Sequence, residues 1–258
     1  MKILLHKVSF ILISILLITY EVSADNMPNY ERERTLHNQF TSYIFDSDII
    51  ELHSTLENKF NLLSRDNSSN TSVLLLHGRG LHPSEPNIID PIRVELIENN
   101  YNVYSLQLPV LAKGKSYYDY LEIIKYSDAR IQSSMNFIKS KNIIIIAHSC
   151  GAHMLFSYIE NMGSNDISKI ILLGAGAVDK NQVMKSNLKL SSLRLPILNI
   201  YAEYDHNSVK LFADNLKLEF SDLPQSRLNT IEVEGAGHDY NNQTYLLIET
   251  VKKWLKSS

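Results

Sequence analysis

The chain of 258 residues is long enough to bury one sizeable core, and its 44% hydrophobic and 21% charged content is ordinary for a globular protein. A formal net charge of −3 argues against nucleic-acid binding, which would show as a basic stripe. The single cysteine, Cys150, excludes an intramolecular disulfide, so the core alone must hold the fold.

Residues 1–24 read as a signal peptide. Lys2 and Lys7 precede the end of a start region, Val8 to Tyr20 is an apolar run, and Val22-Ser23-Ala24 supplies a small-x-small cleavage site before Asp25. The run has thirteen residues, whereas a membrane span needs about 20. Export with cleavage after Ala24 is expected, to the periplasm if the organism is Gram-negative, with no stable membrane insertion afterwards. An uncleaved N-terminal membrane anchor is the alternative. Residues 25–44 form a polar lead-in, with Glu31, Arg32, Glu33 and Arg34 in a row, either solvated or in a short surface helix. Residues 45–258 are expected to form a single domain.

That domain opens with a loosely alternating stretch, Asp48 to Leu63, read as an antiparallel hairpin at a sheet edge. Arg65 to Ser72 is a polar loop. Val73 to His77 is a buried strand that runs into Gly78-Arg79-Gly80-Leu81-His82-Pro83. Ile88 to Asn99 carries Ile88, Ile92, Leu96 and Ile97 on one helical face. Tyr101 to Leu108 is a strand stopped by Pro109, and Leu111 to Tyr118 is a loop. Tyr120 to Lys141 has apolar residues at three- and four-residue spacing and predicts one long helix.

Next comes Ile143 to Ile146, four β-branched residues that suit a strand buried on both faces. Ala147-His148-Ser149-Cys150-Gly151 follows, and then Met154, Leu155, Tyr158 and Ile159 recur at helical spacing. A strand turning sharply into a helix with a serine at the apex is the geometry of a nucleophile elbow, with alanine at the first position of G-x-S-x-G. The plainer alternative is a serine that caps a helix.

Lys169 to Gly174 is another strand, and Val178 to Leu193 is irregular or loosely helical, enough for a small cap at most. Pro196 to Ala202 is a strand ending in Glu203-Tyr204-Asp205-His206, and Val209 to Phe220 is a helix. Leu228 to Val233 is the last strand, ending in Gly235-Ala236-Gly237-His238-Asp239. Tyr245 to Leu255 closes the chain as an amphipathic helix. Strands alternating with helices predict an α/β domain built on one doubly wound, mostly parallel sheet, with helices on both faces and a short or absent lid.

Ser149, Asp205 and His238 each fall just past a predicted strand, so such a sheet carries all three to its carboxyl edge. A serine hydroxyl needs a base, which is His238, and the imidazole needs an acid to hold its tautomer, which is Asp205. Asp179 is the competing acid. The backbone N–H groups of Arg79 and Cys150 are the expected oxyanion donors, since a glycine-rich turn lies about 70 residues ahead of the elbow. His77 and His82 are expected to shape that turn, His148 to pack in the elbow, and His153 to lie inside the helix; none is taken as the base. Lys113-Gly114-Lys115-Ser116 lacks the leading glycine of a phosphate loop, and Gly174-Ala175-Gly176 lacks the third glycine of a dinucleotide fingerprint. Nine histidines without H-E-x-x-H or paired cysteines outline no metal site, and no cofactor is called for.

With His77-Gly78-Arg79-Gly80, Ala147-His148-Ser149-Cys150-Gly151, Asp205 and Gly237-His238 assembled, the chain resembles the α/β-hydrolase superfamily from about Val73 to Leu255. Leu75 to Pro83, Leu106 to Pro109 and Gly235 to Tyr240 are similar to a family of exported bacterial proteins of unknown function within it. The resemblance implies a cofactor-independent serine hydrolase acting on a small-molecule or envelope ester through an acyl-enzyme. An acyltransferase or peptidase with the same triad is one alternative. A catalytically silent fold serving as an envelope binding module is another.

Overall fold

The computed structural model describes residues 26–57 and 59–257; the expected signal peptide lies outside them. Among the described residues no helix is long and apolar enough to cross a membrane.

The strands are β1 (Asp48–Leu52), β2 (Phe60–Arg65), β3 (Ser72–Leu76), β4 (Asn102–Leu106), β5 (Ile143–His148), β6 (Ile167–Leu173), β7 (Ile197–Tyr204) and β8 (Leu228–Gly237). They form one sheet in the order β1-β2-β4-β3-β5-β6-β7-β8. β1–β2 is the expected edge hairpin, with Ile50 opposite Leu62. β2 also runs antiparallel to β4, and every later pairing is parallel.

The apolar strands divide by parity, as a two-residue side-chain period requires. Ile143 and Ile145 join Leu74, Leu76, Ile170 and Leu172 on one face, whereas Ile144 and Ile146 join Val73, Leu75, Ile171 and Leu173 on the other. Helices α4 (Ile124–Ile138), α5 (Cys150–Met162) and α6 (Asn207–Glu219) cover the first face through Ile131, Leu155 and Leu216. Helices α2 (Ile89–Glu98) and α7 (Thr244–Ser257) cover the second through Ile92, Leu96, Leu247 and Val251. Covering both faces is what makes a continuous isoleucine run stable in a central strand.

One expectation is met in its second form, a short helix, and one needs correction. The polar stretch ahead of the sheet forms helix α1 (Tyr30–Phe40), capped by the Asn29 side chain accepting from Arg32 N–H. Its charged run is not wholly solvated, because Glu33 is buried against Arg130. The single helix expected from Tyr120 to Lys141 is two: α3 (Tyr117–Leu121), begun by a capping box between Ser116 and Asp119, and α4. Ile123 leaves helical geometry between them (φ −108°, ψ 6°) and is fully buried, while Lys139 in the left-handed region (φ 52°) ends α4 early. Periodicity was right for α4, but it does not register the change of direction at Ile123, and α3 begins inside the stretch expected as a loop. The Val178 to Leu193 stretch contains no α-helix, only a single 3-10 turn at Leu190–Ser192.

Candidate active site

The elbow is built by crowding. Ser149 follows β5 at once and holds φ 52°, ψ −116°, a region that residues with a side chain enter only under constraint. Its N–H donates to Leu173 O at 2.8 Å, and α5 begins at the next residue. A Cβ on Gly151 would stand 2.6 Å from both Leu76 O and His77 O, so only glycine lets α5 start this close to β3. Ala147 sits in ordinary strand geometry, fully buried and in register with Leu76 and Leu172. That position needs a small residue rather than a conformationally free one, and alanine meets the need.

Asp205 follows β7, beside an irregularity in the β7–β8 pairing, and His238 follows β8. The two come together with Ser149 although up to 89 residues separate them. His238 Nε2 lies 2.9 Å from Ser149 Oγ, and His238 Nδ1 lies 2.6 Å from Asp205 Oδ1. A carboxylate only accepts, so Nδ1 carries the proton and Nε2 is left to accept the serine O–H. Asp205 also accepts the N–H groups of Ala202 (3.2 Å) and His206 (2.8 Å). Burial alone would raise its pKa; the hydrogen bond and charge of His238, with the two N–H groups, outweigh burial and hold the carboxyl below its ordinary value.

Asp179, the competing acid, is not beside His238. Its carboxylate takes the Arg79 guanidinium in two contacts, one of them 3.0 Å, and accepts Tyr117 N–H at 2.6 Å. The Arg79 bond keeps its pKa below the ordinary carboxylate value. The four other histidines weighed from the sequence, His77, His82, His148 and His153, are occupied or withdrawn, whereas His206 is exposed in the cleft with its ring 4.7 Å from that of His238. His77 Nε2 accepts Leu108 N–H at 3.0 Å, which leaves Nδ1–H to donate to Gly78 O at 2.8 Å, and burial pushes its pKa down to about 3. His148 is buried in the elbow with its ring 5.3 Å from that of His238, and burial lowers its pKa to about 3. His153 Nε2 lies 3.1 Å from Ala177 O, and burial lowers its pKa to about 4. His82 stacks on Phe40 of α1 at 5.0 Å.

Burial pushes the Cys150 thiol up to about 12, against the pull of Arg79, so it carries no thiolate near neutral pH. Its backbone N–H and that of Arg79 donate no hydrogen bond among the described residues. With Ser149 and His238, these two residues line a cleft of about 340 Å³, completed by Gly78, Tyr117, Val178 and His206 among others.

Three supporting residues escaped the sequence reading. Gly174 (φ +57°) brings its main chain so near the site that a Cβ would lie 2.9 Å from His238 Cε1. The signal was the glycine pair after β6, discounted there as a failed nucleotide fingerprint. Tyr240 is fully buried and donates its hydroxyl to Ile200 O at 3.0 Å, tying the loop that carries His238 to β7. Arg32 of α1 donates to Gly80 O at 2.9 Å and also to Leu111 O. No local pattern marks an arginine for that task.

No protein-family model matches the chain, and no curated protein matches it in sequence. Solved structures do match. An esterase from Pyrococcus furiosus superposes with a TM-score of 0.63 at 17% identity, over 82% of this chain and 92% of that one. A predicted CIB-like hydrolase from Thermoplasma acidophilum gives 0.62 at 16% identity, over 82% and 100%. A carboxylesterase from Bacillus subtilis gives 0.60 at 10% identity, over 89% and 97%. Likeness at such identities is a likeness of fold. The chain has the α/β-hydrolase fold.

Proposed function

We propose that the protein is a serine hydrolase that cleaves carboxylic esters through an acyl-enzyme. The observation that carries this reading is the pair of short contacts from His238, 2.9 Å to Ser149 Oγ and 2.6 Å to Asp205 Oδ1. In the first half-reaction Ser149 Oγ attacks the ester carbonyl carbon while His238 Nε2 takes the hydroxyl proton. Asp205 stays ionised, holds the Nδ1–H tautomer and stabilises the imidazolium. The carbonyl oxygen gains negative charge and receives hydrogen bonds from the Cys150 and Arg79 N–H groups, each worth about 3–4 kcal/mol in the transition state. His238 then returns the proton to the departing alkoxide. In the second half-reaction water attacks the acyl-enzyme, His238 takes a proton from it, and Ser149 is regenerated as the acid leaves.

Two further observations favour this assignment. The strained φ of Ser149 is a cost the chain maintains at the one residue whose hydroxyl meets His238. The esterases among the structural neighbours agree in chemistry, and their likeness favours an ester over other acyl substrates. The site is proposed to work after export, on a small-molecule or envelope ester; N-terminal sequencing of the mature protein, expected to begin at Asp25, checks that part.

Covalent labelling by a fluorophosphonate tests the chemistry directly. Wild type is expected to label, and Ser149→Ala and His238→Ala are expected not to. Folded wild type that stays unlabelled would move the reading to a silent binding module. Labelled enzyme that spares a panel of esters but cleaves or transfers amide-bound acyl groups would replace the esterase wording alone.

A further inference from the structure

The turn that carries Arg79 is held by a helix that belongs to no strand-helix repeat. Leu81 N–H donates to Gly78 O at 3.3 Å, and Gly80 takes φ +69°. Gly80 therefore stands third in a four-residue turn, where a type II turn needs glycine. His77 fixes the start of the turn through Gly78 O, as described above. Its far side is gripped by two charged groups that differ in kind. Asp179 holds the tip of the Arg79 side chain, several rotatable bonds away from the main chain. Arg32 instead holds a main-chain carbonyl, Gly80 O at 2.9 Å, one residue beyond the Arg79 N–H, and the same guanidinium donates to Leu111 O.

The helix behind Arg32 is itself fastened to both loops, the one after β4 and the one beyond the turn. Asn29 N–H donates to Val110 O at 2.7 Å, Val110 N–H donates to Glu33 Oε1 at 3.1 Å, and Phe40 stacks on His82. The guanidinium fills the space beside the turn so closely that a Cβ on Gly80 would lie 3.1 Å from Arg32 Nη2. We infer that Arg32 is a positioning residue for the oxyanion hole: by holding Gly80 O it sets the peptide planes of the turn and so the direction of the Arg79 N–H. Arg32 touches no reacting atom. The inference rests on the proposed roles of Ser149 and Arg79. It makes α1, which precedes the first strand, part of the working site.

An oxyanion donor acts on the transition state, so its misalignment lowers kcat and leaves KM in place. The test is steady-state hydrolysis of a short p-nitrophenyl ester by the full chain, for wild type, Arg32→Met, Arg32→Lys and, as a control on the same helix, the exposed Arg34→Met. Arg32→Met is expected to lower kcat by about ten- to a hundredfold, with KM within about twofold. Arg32→Lys is expected to recover part of that loss, because an ammonium can reach one carbonyl but does not present the planar fork that spans two. Arg34→Met is expected to leave both constants unchanged.

A kcat for Arg32→Met within about twofold of wild type, or a loss carried by KM, overturns the inference. So does an equal loss in Arg34→Met. If Arg32→Met does not fold, Arg32→Lys decides: a fall in kcat at constant KM supports the role, and an unchanged kcat ends it. Failure of the underlying reading looks different, because wild type would then resist the fluorophosphonate or Ser149→Ala would still label.

Discussion

Arg130 and His238 both sit among carboxylates below the surface, yet the two clusters are finished differently. Arg130 of α4 is fully buried and sets each guanidinium nitrogen on a protein acceptor: Nε on Glu57 (2.7 Å), Nη1 on Gln107 O (3.0 Å), and Nη2 on Glu33 (3.0 Å) and Glu57 (2.5 Å). His238 keeps 17% of its side chain exposed, meets one carboxylate, and directs its second nitrogen at a hydroxyl in an open cleft. One cluster places every nitrogen of its cation on the protein and ties chain segments together. The other leaves an imidazole nitrogen facing a serine hydroxyl in an open cleft, the arrangement the proposed chemistry uses. A buried charge group reads as chemistry only when one of its bonds can be exchanged for a bond to something else.

The sharpest way to break the contrast is to remove a member of the open cluster. Asp205→Asn is expected to lower kcat by about 10⁴-fold while leaving the fold intact, since the amide favours the wrong imidazole tautomer. Burst kinetics and fluorophosphonate labelling measure this, and a fall of less than tenfold would remove Asp205 from its role. In the closed cluster the loss should appear as stability. Arg130→Met strands two buried carboxylates and is expected to cost about 3–5 kcal/mol in urea unfolding, with molecules that remain folded still labelled.

Dependence on pH should separate the clusters by sign. Two carboxylates share one cation at Arg130, and burial raises the Glu33 pKa further than the arginine lowers it. Its contribution is therefore fully present below the ordinary glutamate value, about 4.3, and is lost as pH rises through the raised folded value. Asp205 is depressed, so its contribution is present above the ordinary aspartate value, about 3.9, and is lost as pH falls through its folded value. Glu33→Gln should accordingly compare better with wild type near pH 8 than near pH 4 when unfolding is measured at both. The opposite trend would show that Arg130 dominates burial.

The smallest expected effect concerns Cys150. With its thiol at about 12, it should resist alkylation at neutral pH in the folded protein and react once unfolded. Cys150→Ala should keep labelling, because the proposed role uses only its main-chain N–H.

Much of this arrangement was legible along the chain, for identifiable reasons. Four isoleucines bounded by small residues can be little else than a central strand meeting a tight turn, because side chains alternate between two faces that both need cover. Ser149, Asp205 and His238 could be chosen because a parallel sheet brings every strand end to one edge. The choice of Asp205 over Asp179 rested on order alone, and the structure separates them by geometry, setting Asp179 on Arg79 instead.

By itself, then, the sequence determined the layers and the residue types gathered at the sheet edge, since these follow from periodicities of two and 3.6 residues that a linear pattern records, whereas the last strand runs four residues past its expected end at Val233, to Gly237. Tertiary structure alone decided what secures the site. Arg32 meets Gly80 across 48 residues, Arg130 meets Glu33 across 97, and a Cβ on Gly174 would stand 2.9 Å from His238 Cε1. Such contacts depend on how packed layers bring distant segments together, and charge and size carry no address that names their partner.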